Sequence, residues 1–209
     1  MNEYAVKRYR YLNQNAIKGE TLFVGSSLME HFPINEILMS RGISRVIYNR
    51  GISGYTIPEL LESIDEQIFD LEPSVIFINI GTNDISNQEE TAEVFEADYR
   101  KVLVEIKERL PKTKVFMMAF YPVNQKVADT VTAWPEAPIA AKLRLQRLGK
   151  ANGIVEKLAG EFGYRYINVN EGLFGEDGQM LEKYTTDGIH MWPDAYELIF
   201  DNMTKYIFE

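Results

Sequence analysis

Short runs of β-branched and aromatic residues recur along the chain, separated by stretches in which apolar side chains return every three or four positions. Residues 21–24, 45–48, 75–80, 114–121 and 165–169 read as strands buried on both faces. Between and after them lie amphipathic stripes. Val94, Phe95, Tyr99, Val102, Leu103, Ile106 and Leu110 keep helical spacing up to the breaker Pro111. Leu148, Ala151, Val155, Leu158 and Phe162 form a second stripe. Ala195, Leu198, Ile199, Met203 and Ile207 form a third after Pro193. Strands that are apolar throughout and alternate with helices predict an α/β fold, a parallel sheet covered on both faces. In such sheets ligands bind beyond the carboxyl ends of the strands, so the loops that matter are those leaving the strands.

One connection breaks the pattern. Residues 122–138 (PVNQKVADTVTAWPEAP) follow the fourth strand without clear periodicity, where two to six residues would suffice. Lying on the expected site face, this segment reads as a loop touching substrate, through Trp134. A surface excursion or a contact with a second copy would use it otherwise.

Composition narrows the chemistry. At 209 residues, 45% hydrophobic and 25% charged, the chain suits one domain, 1–209, with a substantial core. Its net charge of −9 disfavours nucleic acid and anionic membranes as partners. With no cysteine, disulfides, thiolate metal sites and thiol nucleophiles are excluded. Residues 1–20 hold no apolar leader segment, and no apolar run is long enough to span a bilayer, so the expected location is cytoplasmic without membrane insertion.

Only two histidines, His31 and His190, can supply an imidazole base. His190 ends Thr186-Asp187-Gly188-Ile189-His190, and Asp187 three residues upstream can accept its Nδ1 proton across a turn. Alternatively, His190 only caps the last helix. Gly25-Ser26-Ser27-Leu28 follows the first strand and opens a helix, a place for an exposed hydroxyl or for an ordinary N-cap serine; chemistry alone does not separate Ser26 from Ser27. Gly81-Thr82-Asn83-Asp84 follows the third strand, offering the Asn83 amide as an oxyanion donor or simply making a good turn. Gly51-Ile52-Ser53-Gly54-Tyr55 follows the second strand and offers the Gly54 N–H, or is a plain loop before a helix starting near Pro58.

Taken in this order, Gly25-Ser26-Ser27-Leu28, Gly54, Gly81-x-Asn83-Asp84 and Asp187-x-x-His190 resemble blocks I, II, III and V of the SGNH (GDSL-like) hydrolases. The resemblance runs from Leu22 to the final helix. It implies a three-layer, flavodoxin-like fold with five parallel strands, a Ser27–His190–Asp187 triad, and an oxyanion hole from the Ser27 and Gly54 N–H groups and the Asn83 amide. It also selects Ser27 as nucleophile, and it implies no metal or cofactor. Two positions depart from the family pattern. Ser26 stands where Asp is usual and is expected to serve as a short polar cap, and Tyr55 stands where a polar residue often follows the block II glycine. Tyr55, Trp134 and Trp192 are the expected substrate contacts.

Other readings fit less well. An α/β-hydrolase needs Gly-x-Ser-x-Gly, but Met29 stands where its last glycine would be. Dinucleotide and P-loop fingerprints are missing after the first strand. Two distant histidines make a poor metal site. The expectation is therefore a serine ester hydrolase acting on small soluble esters, acetylated carbohydrate foremost. The alternatives are an acyltransferase using the same acyl-enzyme and a catalytically idle carbohydrate- or protein-binding module.

Overall fold

A computed structural model describes residues 2–209. Five strands, β1 (Thr21–Gly25), β2 (Ile47–Asn49), β3 (Val75–Asn79), β4 (Lys114–Met118) and β5 (Arg165–Ile167), form one parallel sheet in the order β2-β1-β3-β4-β5. This is the flavodoxin-like arrangement. The chain winds outward from β1 to β2 on one side and from β3 to β5 on the other, so a crevice opens where β1 meets β3.

Alternation along the central strands explains the layers. Leu22, Val24, Ile76, Ile78, Val115 and Met117 point to one face, packing under helices α1 (Glu3–Asn13), α4 (Ile57–Glu62), α5 (Ile64–Gln67), α6 (Ala92–Arg109) and α8 (Ala137–Phe162). Phe23, Phe77, Phe116 and Met118 point to the other, under α2 (Ser27–Glu30), α3 (Ile34–Ser40) and α9 (Pro193–Ile207). Phe77 stacks on Phe116 with ring centroids 4.7 Å apart, and Phe23 meets Phe77 edge-on at 5.3 Å.

The observed elements differ from expectation at strand ends and in two helices. β2 begins at Ile47, where its pairing with β1 begins, and β4 stops at Met118 and β5 at Ile167, where these two strands stop pairing with each other. Helix α1 carries no unbroken apolar stripe. It is nevertheless fixed by Ala5, Val6 and Tyr9 in the core and by the Tyr9 hydroxyl donating to the Gly51 carbonyl at 2.5 Å. Helix α8 starts eleven residues before the Leu148 stripe. Its first turns are alanine-rich and packed in a third apolar cluster, of Val123, Ala128, Ala137, Ala140, Ala141 and Ile189. The 122–138 segment is thereby built into the structure. Within it Asn124 caps the short helix α7 (Gln125–Ala128) by accepting the Val127 N–H at 2.9 Å.

Candidate active site

Strand β1 ends in Gly25, where a side chain could not fit: a Cβ would stand 2.1 Å from the Asn79 carbonyl oxygen of the paired strand. Close pairing of β1 and β3 sets the two following loops side by side. Ser26 is the N-cap of α2 and Ser27 its first helical residue. The N–H of a first-turn residue has no acceptor within its own helix, so that of Ser27 is available to a ligand. Ser26 does not act as the expected polar cap. Its hydroxyl makes no capping hydrogen bond and is buried without a partner.

The other half of the site is the loop before α9. Gly188 takes a positive φ of +88°, and a Cβ there would stand 2.5 Å from the Asn124 carbonyl oxygen, so only glycine fits. The Gly188 N–H donates to the Thr185 hydroxyl at 2.8 Å, its carbonyl accepts the Asn124 N–H at 2.7 Å, and Thr185 pairs with Met191 as an antiparallel bridge. The resulting tight turn presents Asp187 to the residues after it. Asp187 Oδ1 accepts the backbone N–H groups of Ile189 at 2.9 Å and His190 at 2.7 Å, while Oδ2 lies 2.6 Å from His190 Nδ1.

Partial burial raises the Asp187 pKa, but the hydrogen bonds from the His190 ring and backbone outweigh it and hold the carboxyl down at about 2. An ionised carboxylate only accepts, so Nδ1 of His190 carries the proton and Nε2 of the neutral ring is an acceptor. Nε2 lies 3.0 Å from Ser27 Oγ, across 163 residues of sequence. The serine hydroxyl thus donates to a histidine whose far side is anchored by a carboxylate.

Asn83 lies on the loop after β3. One N–H of its amide donates to the Tyr55 carbonyl at 2.8 Å, tying this loop to the one that holds Gly54. Gly54 takes φ +82° on an exposed turn. The adjacent Ser53 donates its N–H to Glu30 Oε2 at 2.7 Å, and its hydroxyl lies 3.5 Å from His31 Nε2. The His31 ring in turn lies 5.4 Å from that of His190. Gly54, Asn83, Ser27, Asp187 and His190 are thereby gathered at the carboxyl edge of the sheet.

Among the expected substrate contacts, Trp134 stands at the site, its ring 5.5 Å from that of His190. Trp192 is 51% exposed just before α9, and its N–H donates to the Tyr184 carbonyl at 2.9 Å. The Tyr55 side chain does not reach the site. It is 1% exposed in the core against α1, where its hydroxyl accepts the Asn2 N–H at 3.2 Å, and only its carbonyl faces Asn83. An aromatic ring in an apolar environment is more stable buried than left on the loop.

Two residues of the site were not legible in the sequence. His31 closes α2 and turns toward His190, with burial and then the neighbouring imidazole lowering its pKa. Arg144 of α8 donates from Nη2 to Asn83 Oδ1 at 3.1 Å. Among the described residues no group of three or more His, Asp and Glu side chains is arranged to hold a metal ion.

A parallel five-stranded sheet with this loop cluster at its carboxyl edge, between the first and third strands, defines a flavodoxin-like α/β protein with a candidate catalytic site in its crevice. Residues 31–198 match the GDSL-like lipase/acylhydrolase family, and the chain belongs to that family, whose members are ester hydrolases. The match begins just after Ser27, so the placement of Ser27 in the site rests on the geometry above. Similar solved structures include a protein from Streptococcus pneumonia described as a candidate platelet activating factor (26% identity, TM-score 0.83, covering 98% of this chain and 92% of that one). A GDSL-like lipase from Bacteroides thetaiotaomicron is similar at 21% identity and TM-score 0.77, covering 97% and 96%. An acetylxylan esterase from Geobacillus stearothermophilus is similar at 16% identity and TM-score 0.66, covering 92% and 95%. No curated protein matches the chain significantly.

Proposed function

We propose that this protein is a serine esterase that cleaves short-chain acyl esters, acetylated carbohydrate foremost, through an acyl-enzyme. The observation that carries this reading is the continuous relay from Ser27 Oγ through His190 Nε2 and Nδ1 to Asp187 Oδ2, at 3.0 and 2.6 Å. As Ser27 Oγ attacks the ester carbonyl, its proton passes to His190 Nε2, and Asp187 stabilises the imidazolium so formed. The new oxyanion is met by the N–H groups of Ser27 and Gly54 and by the second N–H of the Asn83 amide. His190 returns its proton to the departing alcohol. Water then repeats the sequence on the acyl-enzyme, releasing the acid and restoring Ser27.

Trp134 beside His190 supports a sugar-bearing alcohol, because an indole face packs well on the apolar face of a sugar ring. The similar acetylxylan esterase points the same way, and its structures include catalytic mutants of a serine, an aspartate and a histidine. The test is hydrolysis of p-nitrophenyl acetate, of longer p-nitrophenyl esters and of acetylated xylo-oligosaccharides, with and without a serine-directed organophosphate. The reading expects organophosphate-sensitive turnover that falls with acyl length and is highest on acetylated sugars. Turnover rising with acyl length would contradict the substrate class, and no turnover on any ester would contradict the function.

A further inference from the structure

Helix α8 sends two arginines under the loop that follows β3, and they do different things there. Arg147 donates to the carbonyls of Ile85, Asn87 and Gln88, a clamp on the backbone. Arg144, one turn earlier, donates from Nε to the Ser86 hydroxyl at 2.8 Å and from Nη2 to the Asn83 side-chain oxygen at 3.1 Å. Ser86 is itself held, since its hydroxyl donates to the Thr82 carbonyl at 2.7 Å. Arg144 is 3% exposed, and among the described residues no carboxylate forms an ion pair with it. Burial lowers its pKa to about 10, with the Asp187 charge acting the other way, so it remains a cation at neutral pH. A buried guanidinium without a paired carboxylate is costly to keep, and simple loop packing does not require one.

We propose that Arg144 is a positioning residue for the oxyanion hole, acting through Asn83. The inference rests on the reading of Asn83 as an oxyanion donor. A side-chain amide can turn over with little change of shape, exchanging its donor for its acceptor. The reversed amide would aim an oxygen at the developing oxyanion. Arg144 blocks this, because its N–H bond requires Asn83 Oδ1 on the α8 side while the Tyr55 carbonyl requires Nδ2 on the other. Only one Nδ2 hydrogen is used by Tyr55, so the second stays free for the oxyanion. The charge-assisted bond to Oδ1 also polarises the amide, making that free N–H a stronger donor. The benefit is largest once negative charge has formed, so it appears in the transition state rather than in substrate binding.

A double-mutant cycle with p-nitrophenyl acetate tests this, using Arg144→Met, Asn83→Ala and both together, with Tm measured for each. The expected result is a kcat lowered about 10- to 100-fold by Arg144→Met and about 10²- to 10³-fold by Asn83→Ala, with KM changed less than about threefold. The double variant should be no slower than Asn83→Ala alone, within about threefold, because Arg144 has nothing left to position. Arg144→Lys, which keeps the charge, should recover part of the loss. If Arg144→Met does not fold, the same cycle with Arg144→Lys decides. Normal kcat in the arginine variant beside a slow Asn83→Ala would overturn the role of Arg144, as would losses that multiply in the double variant. Normal kcat in Asn83→Ala would instead overturn the reading of Asn83 on which the inference stands.

Discussion

At the scale of single residues, the two histidines divide cleanly. His190 bridges Ser27 and Asp187, whereas the His31 ring approaches the His190 ring and the Ser53 hydroxyl. His190→Ala should therefore lower kcat by roughly 10³-fold or more, the scale of losing a triad member, while His31→Ala should cost less than about tenfold. Steady-state kinetics on p-nitrophenyl acetate separates the two; equal losses would mean that His31 takes part in proton transfer. How much of this was legible in the sequence follows from what each residue needs. Ser27, Gly54 and Asn83 stand in short motifs after strand ends, and Asp187 and His190 in one just before the last helix, so their positions along the chain are enough to bring them to one edge. The direction of a side chain is not written there. Tyr55 turned inward, the Ser26 hydroxyl found no capping partner, and His31 swung toward the site, each decided by packing across distant residues. Arg144 sits in a helical stretch where an arginine ordinarily marks the solvent face.

At the scale of elements, the 122–138 segment changes meaning most between sequence and structure. Its residues lack helical or strand spacing because they pack individually. Val123, Ala128 and Ala137 surround Ile189, and Asn124 binds the Gly188 backbone, so the segment buttresses the histidine loop from behind. Trp134 packs against that cluster and also meets the His190 ring. Trp134→Ala should accordingly change the ranking of substrates, lowering kcat/KM for acetylated oligosaccharides several-fold more than for p-nitrophenyl acetate. A uniform loss on both would assign Trp134 to the buttress. The strands were the easiest elements to read, since a parallel sheet buried on both faces leaves unbroken apolar runs. Helix α1 and the first turns of α8 were missed because tertiary contacts, not periodicity, hold them.

At the scale of the whole molecule, the half-buried Asp187 and the buried Asp84 pull stability in opposite directions with pH. Asp187 is held at about 2, so its contribution is present above the ordinary carboxyl range and is lost on acidification through about 2. Asp84 behaves the other way. Burial, opposed by the one Ile57 N–H that its two oxygens share at 3.0 and 3.2 Å, raises it to about 7. Its contribution is present when protonated, below the ordinary carboxyl range, and is lost as pH rises through about 7. Asp84→Asn keeps an acceptor for Ile57 and removes the buried charge. Thermal melts should show the variant more stable than the parent at pH 8, with the gap closing by at most about 2–3 kcal/mol on going to pH 5. A gap independent of pH would mean that Asp84 does not titrate in this range.

The central claim concerns one atom, the Ser27 hydroxyl oxygen, and covalent labelling reports on it without knowledge of the natural substrate. The protein is treated with a fluorophosphonate, digested and mapped by mass spectrometry. Attack at phosphorus draws on the same serine–histidine relay as attack on an ester carbonyl. A single adduct is expected, on Ser27, forming in step with loss of esterase activity and strongly slowed in His190→Ala. An adduct on Ser26, or full loss of activity with Ser27 unmodified, would contradict it.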